Sequence, residues 1–218
     1  MKVKNDDCLV FFGDSITEWG RDRENPTSLG TGYVKYVSNY LLDVYPTIKL
    51  YNRGIGGNHI QDLNERIHDC LDLEASVVIL LIGINDVWHG VGLQEFGSDD
   101  EQERFEREYV RLLTSLKNAG IERVLLIEPF VLDDPVDRLS WREDLNKKIQ
   151  VVRNMAKRFQ FEFVPLDGLI NEKAIKCGAK MLTGKDGVHP TPVGAAFIAK
   201  EIIARLEMEV DDEKARCS

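Results

Sequence analysis

Short apolar runs alternate along the chain with longer segments whose apolar residues recur at helical spacing. This alternation is typical of βαβ units, in which helices join parallel strands. Five runs are apolar enough to be strands buried on both faces. They cover residues 9–12, 48–51, 77–82, 124–127 and 161–164. The pattern predicts a five-stranded parallel sheet, with 77–82 at its centre and 161–164 at an edge.

The segments between these runs predict the helices. They cover 34–45, the residues from the glycine turn 54–58 to about 73, 98–119, 140–158, the short stretch 169–176, and 191–209. Pro46 and Gly120 end two of these helices, and Thr191 caps the last one. We expect one domain over 1–218, built as a three-layer α/β/α sandwich, with a mobile charged tail at 211–218.

Polar turns follow the first three strands, and a fourth polar turn precedes the last helix. In chain order they are Gly13-Asp14-Ser15, Gly56-Gly57-Asn58, Gly83-Ile84-Asn85-Asp86 and Asp186-Gly187-Val188-His189. Open α/β sheets bind their ligands at the carboxyl ends of the strands, so all four turns can meet in one crevice. Read alone, the first turn is also an ordinary helix cap. The other three turns decide which interpretation holds.

Composition restricts the partners and the compartment. The chain is 43% hydrophobic and 30% charged, with a net charge of -9 and a pI near 5.0. An acidic surface repels nucleic acid and acidic membranes, so neither is an expected partner. No apolar run approaches the length of a membrane span, and acidic residues interrupt the N-terminus where a signal region would begin. We therefore expect a cytoplasmic protein.

The four cysteines carry no pattern of their own. Cys8, Cys70, Cys177 and Cys217 are scattered along the chain. Their spacing is not that of paired metal ligands, and their density is below that of a disulfide scaffold. We interpret them as reduced thiols.

The residues of the four turns match the requirements of acyl transfer. A serine hydroxyl needs a histidine to take its proton and a third group to orient that histidine. Asp186 and His189, three residues apart in a glycine-containing loop, fit that pair for Ser15. The oxyanion needs hydrogen-bond donors, for which the candidates are the N–H groups of Ser15 and Gly57 and the side-chain amide of Asn85.

The same turns allow other interpretations. A cluster of Asp14, Asp86, Asp186 and His189 can bind a divalent metal, but the serine, glycine and asparagine of the turns would then have no role. We expect neither a metal nor a cofactor. The turn 54–58 lacks the full glycine spacing of a dinucleotide loop.

The remaining polar residues of the turns have less specific interpretations. For Asp14 and Asp86 we favour an orienting, hydrogen-bonding role. His59 and His89 fit either a pocket lining or a surface loop.

The four turns, in this order, resemble the four sequence blocks of the SGNH (GDSL-type) esterase and lipase family. The resemblance covers residue 9 to about 194. It implies a flavodoxin-like sandwich in which Ser15 is the nucleophile, His189 the base and Asp186 its partner. It also implies an oxyanion hole formed by Ser15, Gly57 and Asn85.

A narrower resemblance concerns the substrate. The segments 13–17, 30–34 and 84–88 look like those of the intracellular acetylxylan esterases, which remove acetyl groups from xylo-oligosaccharides. Some members of that subgroup form ring-like oligomers, so a homo-oligomer is one expectation. His59 and His89 depart from the subgroup pattern.

The expected function is that of a serine ester hydrolase acting on an acetylated carbohydrate. An acetyl group needs only a small pocket, and exposed aromatics near the crevice, Trp19, Tyr33 and Trp88, can stack on sugar rings. The supporting or substrate-binding residues named on this basis are Asp14, Tyr33, Asn58, Asp86 and Trp88. Two alternatives remain open: a lysophospholipase or thioesterase for longer acyl chains, and a binding module without activity.

Overall fold

The computed structural model describes residues 1–208 of the chain, so the predicted tail at 211–218 and Cys217 lie outside the described residues. Seven strands are present in the described part: β1 (Lys2–Val3), β2 (Cys8–Gly13), β3 (Lys49–Gly54), β4 (Val77–Leu81), β5 (Arg123–Ile127), β6 (Glu162–Val164) and β7 (Glu207–Met208). Five of them form the main sheet, in the spatial order β3-β2-β4-β5-β6, and all neighbours are parallel. The predicted sheet is confirmed, with β4 at its centre and β6 at an edge.

The helices lie between the strands, as the alternating pattern predicts. They are α1 (Ser15–Glu18), α2 (Tyr33–Val44), α3 (Ile60–Glu65), α4 (His68–Leu71), α5 (Ile84–Trp88), α6 (Asp99–Asn118), α7 (Arg142–Phe159), α8 (Leu166–Cys177), α9 (Ala179–Thr183) and α10 (Pro192–Ile203), with a 3-10 turn at Val136–Trp141. Asp14, Ser98 and Thr191 cap their helices by accepting a hydrogen bond from a backbone N–H in the first turn.

Alternate residues of each central strand face opposite layers of helices. Leu9 and Phe11 pack in one apolar cluster, which includes residues of α2 and α10. Val10 and Phe12 pack in the other, which includes residues of α3 and α6. Because successive side chains of a strand point to opposite faces, this arrangement gives the predicted α/β/α sandwich.

The register of the sheet places the ends of its strands level with one another. Gly13 is paired with Gly54 on one side and with Leu81 on the other. Leu81 is in turn paired with Ile127, and Ile127 with Val164. The loops that follow these residues therefore emerge at one edge of the sheet. No helix within residues 1–208 is long and apolar enough to cross a membrane.

Three predicted elements differ from the structure. The helix expected from the glycine turn to about residue 73 is divided into α3 and α4 at Arg66, whose side chain instead contacts the ends of two strands. The helix expected over 169–176 begins earlier, at Leu166. The last helix ends at Ile203, and the following residues form β7, which pairs in parallel with β1. Helical periodicity does not detect long-range contacts of this kind.

Candidate active site

Ser15 lies directly beyond the carboxyl end of β2, at the first position of α1. A Cβ atom on Gly13 would lie 2.3 Å from the carbonyl oxygen of Leu81, so this close approach requires glycine. Asp14 caps α1 by accepting a hydrogen bond from the N–H of Ile16 at 2.9 Å. The N–H of Ser15 is in the first turn of a helix, where it has no intrahelical acceptor.

Ser15, His189 and Asp186 form a continuous chain of hydrogen bonds. The Oγ of Ser15 lies 2.9 Å from Nε2 of His189, and Nδ1 of His189 lies 2.7 Å from Oδ2 of Asp186. Oδ1 of Asp186 accepts the backbone N–H groups of Val188 and His189, at 2.9 and 2.8 Å. Burial raises the pKa of Asp186, but these hydrogen bonds outweigh it and hold the pKa below its usual value. The ionised carboxylate favours the histidine tautomer whose Nε2 can accept the serine proton.

Two contacts from the segment after β5 hold the loop that carries Asp186 and His189. The N–H of Leu132 donates to the carbonyl of Gly187 at 2.8 Å, and Nε–H of Arg138 donates to the carbonyl of Asp186 at 2.9 Å. Gly187 has a φ of +75°, and a Cβ there would lie 2.6 Å from the carbonyl oxygen of Leu132. Glycine is therefore required on both counts.

The glycine turn after β3 is seated against α1. The N–H of Gly56 donates to Oε2 of Glu18 at 2.6 Å. A Cβ on Gly54 would lie 2.2 Å from the backbone nitrogen of Glu18, which shows how closely the two segments pack. Gly57 has a φ of +83°, a conformation that favours glycine. These contacts fix the turn relative to Ser15.

Arg66 joins the same turn to two strand ends. Its guanidinium donates to the carbonyl of Gly13 at 2.9 Å, to that of Arg53 at 2.8 Å and to Oδ1 of Asn58 at 2.7 Å. It also donates to Oδ2 of Asp69 at 2.7 Å, and its side chain is only 16% exposed. Burial lowers the pKa of Arg66, and the bond to Asp69 partly offsets this effect.

Asn85 lies in the first turn of α5 and is 5% exposed. Its Nδ2 donates to the carbonyl of Asn58 at 3.0 Å. An amide nitrogen carries two hydrogens, so one donor is left for a ligand. The turns after β2, β3 and β4 thus bring Ser15, Gly57, Asn58 and Asn85 to one edge of the sheet.

Aromatic side chains flank His189. The ring of Trp19, which is 40% exposed, stacks on His189 with 5.3 Å between ring centroids, and the ring of Trp88 lies at 5.9 Å. Trp88 packs in turn on Trp141 at 5.2 Å, and the guanidinium of Arg138 lies 4.2 Å from the Trp141 ring. Two of the three predicted aromatics are therefore beside the crevice.

The third predicted aromatic, Tyr33, does not line the crevice. It is 1% exposed, its hydroxyl is hydrogen-bonded to Oγ1 of Thr17 at 2.9 Å, and its ring lies edge-on to Phe11. The prediction that Tyr33 is an exposed stacking residue is therefore wrong. The helical position of Tyr33, at the start of α2, turns its ring toward the core.

Asp14 and Asp86 are buried near Ser15 and Asn85. Burial raises the pKa of Asp14 to about 7. It raises that of Asp86 to about 6, although nearby His59 and Lys148 lower it. Oδ2 of Asp86 accepts the N–H of Ile60, at the start of α3, at 3.2 Å. Each carboxyl group accepts one backbone N–H at the start of a helix.

In residues 1–208 no three His, Cys, Asp or Glu side chains are grouped so that they could hold a metal ion. Cys8, Cys70 and Cys177 are free thiols.

The two histidines that depart from the subgroup pattern contact each other. Nδ1 of His89 lies 2.9 Å from Nε2 of His59. The backbone N–H of His59 donates to Oδ2 of Asp62 at 2.7 Å. Burial and the neighbouring His59 lower the pKa of His89.

The residues that fix the turns have no signature in the sequence. Glu18, Arg66 and Arg138 act on backbone groups far away in the chain, and no short motif contains both partners. An arginine within an amphipathic segment is by itself unremarkable, so only the folded chain identifies these contacts.

Known proteins resemble this chain in sequence over most of its length. The model of the GDSL-like lipase/acylhydrolase family matches residues 11–197. An acetylxylan esterase from Geobacillus stearothermophilus is 31% identical, over 96% of this chain and 98% of that protein.

Solved structures give the same result. A catalytic mutant of an acetylxylan esterase from G. stearothermophilus has a TM-score of 0.84 at 29% identity, covering 96% of this chain and 98% of that one. A GDSL-like lipase structure from Parabacteroides merdae has a TM-score of 0.83 at 31% identity, covering 92% and 95%. The family resemblance and the fold are thereby confirmed: the chain belongs to the GDSL-like lipase/acylhydrolase family and is a carboxylic ester hydrolase.

Proposed function

We propose that this protein removes O-acetyl groups from a carbohydrate, such as a xylo-oligosaccharide, through an acyl-enzyme on Ser15. The observation that carries the proposal is the hydrogen-bonded chain Ser15–His189–Asp186 at the carboxyl edge of the sheet. Catalytic mutants of the related acetylxylan esterase replace a serine, an aspartate or a histidine by alanine. These are the three residue types joined here.

Acylation begins when Oγ of Ser15 attacks the acetyl carbonyl carbon and Nε2 of His189 takes the hydroxyl proton. The tetrahedral intermediate then expels the sugar oxygen, which leaves as a hydroxyl after taking the proton back from His189. In the second half, water attacks the acetyl-serine and loses a proton to His189. The second tetrahedral intermediate then expels Oγ of Ser15, which takes that proton back from His189, and acetic acid leaves and ionises to acetate. Asp186 remains ionised throughout and stabilises the imidazolium that forms twice in each cycle.

The negative oxygen of each intermediate needs preorganised donors. We assign this role to the N–H groups of Ser15 and Gly57 and to Nδ2 of Asn85. The side chains of Glu18 and Arg66 support it, because they hold the glycine turn against α1 and β2. Fixed donors of this type do not have to reorganise when the charge develops, which is why they lower the barrier.

Two observations support a carbohydrate as the alcohol component. The related protein from G. stearothermophilus is an acetylxylan esterase. Trp19 and Trp88 lie beside His189, where their faces can contact the apolar side of a sugar ring.

The test is hydrolysis of p-nitrophenyl acetate and of acetylated xylobiose by the wild type and by Ser15→Ala. We expect kcat/KM to fall by about 10³-fold or more in Ser15→Ala. Ser115→Ala, on α6, is the matched control and should retain wild-type activity. Full activity in Ser15→Ala would refute the nucleophile. An increase in kcat/KM from acetate to octanoate esters would refute the deacetylase and favour the enzymes for longer acyl chains.

A further inference from the structure

Arg138 contacts both the loop that carries Asp186 and His189 and the aromatic side chains beside that loop. Its Nε–H donates to the carbonyl of Asp186 at 2.9 Å. Its guanidinium lies 4.2 Å from the centre of the Trp141 ring and 5.5 Å from that of Trp88. The side chain is only 14% exposed, so these contacts are largely shielded from water. One side chain thus joins the backbone of the acid–base loop to the aromatic wall next to it.

The acid–base loop needs external support because a glycine stands between its two functional residues. Gly187 has a φ of +75°, and glycine loses more conformational freedom on folding than any other residue. The peptide before Gly187 is held by Nε–H of Arg138, and the peptide after it by the N–H of Leu132 at 2.8 Å. Because the first of these peptides begins at Cα of Asp186, its rotation would change how the carboxylate faces His189.

Stacking on the tryptophans holds the guanidinium in one orientation. Trp141 is 3% exposed and packs on Trp88 with 5.2 Å between ring centroids, and the ring of Trp88 lies 5.9 Å from that of His189. An arginine side chain loses much rotamer freedom when it is ordered, and a guanidinium that stacks on an aromatic face is preorganised for its hydrogen bonds. Nε–H of Arg138 is therefore directed at the Asp186 carbonyl before substrate binds.

The ion pair of Arg138 lies away from the loop. Nη1 donates to Oδ2 of Asp137 at 2.8 Å, and the Asp137 side chain is 67% exposed. Exposed ion pairs of this kind contribute little to stability. The contacts of Arg138 with a consequence for the site are therefore the bond to the Asp186 carbonyl and the stack on the tryptophans.

We propose that Arg138 is a positioning residue for the proton transfers of the reaction. By fixing the backbone of Asp186, it keeps the imidazole of His189 directed at Oγ of Ser15, 2.9 Å away. The inference rests on the proposed function, in which both acylation and deacylation use His189 as base. Arg138 touches no reacting atom, so its loss slows the chemical steps and leaves the binding of the ester unchanged.

Three substitutions of Arg138 separate its N–H from its charge. In glutamine the amide nitrogen lies at the position of Nε, so Arg138→Gln can keep the donor to the Asp186 carbonyl while it removes the cation. Lysine and methionine have a carbon at that position, so Arg138→Lys keeps the cation alone and Arg138→Met keeps neither. With p-nitrophenyl acetate we expect kcat to fall by about 10–100-fold in Arg138→Met and Arg138→Lys, with little change in KM, and by less than about 5-fold in Arg138→Gln.

Arg205→Met is the matched control. Nε–H of Arg205 donates to the carbonyl of Phe163 at 3.3 Å, a bond of the same kind outside the loop of residues 186–189, so this variant should keep the wild-type kcat. All variants are compared at a temperature where urea unfolding shows them to be folded. Wild-type kcat in Arg138→Met, an equal loss in Arg205→Met, or a higher kcat in Arg138→Lys than in Arg138→Gln overturns the positioning role. If Arg138→Met does not fold, the order of the glutamine and lysine variants decides.

A spectroscopic measurement keeps the positioning role separable from the reaction. The proton on Nδ1 of His189, hydrogen-bonded to Asp186 at 2.7 Å, should give a downfield proton NMR resonance in the wild type. We expect this resonance to broaden through exchange with water in Arg138→Lys and to persist in Arg138→Gln and Arg205→Met. An unchanged resonance in Arg138→Lys overturns the positioning role. A resonance that depends on Arg138, in a wild-type protein that hydrolyses no acetyl ester, supports the positioning role and refutes the proposed function.

Discussion

Replacing Arg66 by methionine tests how much its guanidinium contributes, beside Glu18, to holding the glycine turn in place. The substitution removes the donors to the carbonyls of Gly13 and Arg53 and to Oδ1 of Asn58. Three acceptors are left without that partner, and each costs about 1–2 kcal/mol if water reaches it only partly. We therefore expect the free energy of unfolding to fall by about 3–5 kcal/mol. Arg66→Lys should cost less, because an ammonium keeps the charge but cannot reach all the acceptors at once.

Activity should fall together with stability, for a related reason. Once the turn is loose, the N–H of Gly57 and the carbonyl of Asn58 that orients Asn85 are no longer fixed, and a displacement of about 1 Å can cost 10²-fold in rate. We expect kcat for p-nitrophenyl acetate to fall by about 10–100-fold in Arg66→Met, with a smaller change in KM.

The assay combines urea unfolding with steady-state kinetics, at a temperature where each variant remains folded. Arg53→Met is the matched control. Within residues 1–208 the guanidinium of Arg53 makes longer hydrogen bonds, of 3.2 Å to the carbonyl of Asn52 and 3.4 Å to that of Pro26, and it lies over the Tyr51 ring at 5.3 Å. This substitution should cost less than about 1 kcal/mol. If Arg66→Met unfolds at the same urea concentration as the wild type and keeps its kcat, the reasoning about the turn is refuted.

Two further substitutions test buried groups near the crevice. Tyr33→Phe removes the hydrogen bond to Thr17 and should lower the free energy of unfolding by about 1 kcal/mol with little change in kcat/KM for acetylated xylobiose; a large rise in KM would instead restore Tyr33 as a sugar-binding residue. Burial raises the pKa of Asp14 to about 7, so between its unfolded pKa near 3.8 and about 7 the native state binds the proton more tightly and stability falls as pH rises. Asp14→Asn keeps an acceptor for the N–H of Ile16 and does not titrate, so its stability relative to the wild type should increase by about 2 kcal/mol from about pH 5.5 to about pH 8. Parallel stability curves for the two proteins over that range would contradict the shifted pKa.

The sequence by itself determined the order and type of the main elements. Runs such as 77–82 are apolar on both faces, and only a strand between two helical layers buries such a run completely. The helix starts at Asp14, Ser98 and Thr191 were readable because a cap is a local interaction between neighbouring residues. The four polar turns could be predicted for the same reason, since the polar residues and glycines that distinguish each turn lie within a few positions of one another.

Only the tertiary structure decided how these turns are fixed and which side chains reach the crevice. Tyr33 and Trp19 are both aromatic residues near the first turn, yet one is buried against Phe11 and the other stacks on His189. Arg66 interrupts a helix that its neighbours favour, because hydrogen bonds to two strand ends outweigh the local helical preference. The pairing of β1 with β7, more than two hundred residues apart in the chain, is another contact between distant segments. Local patterns record what neighbouring residues prefer, whereas contacts between distant segments have energies that exist only once the chain has folded.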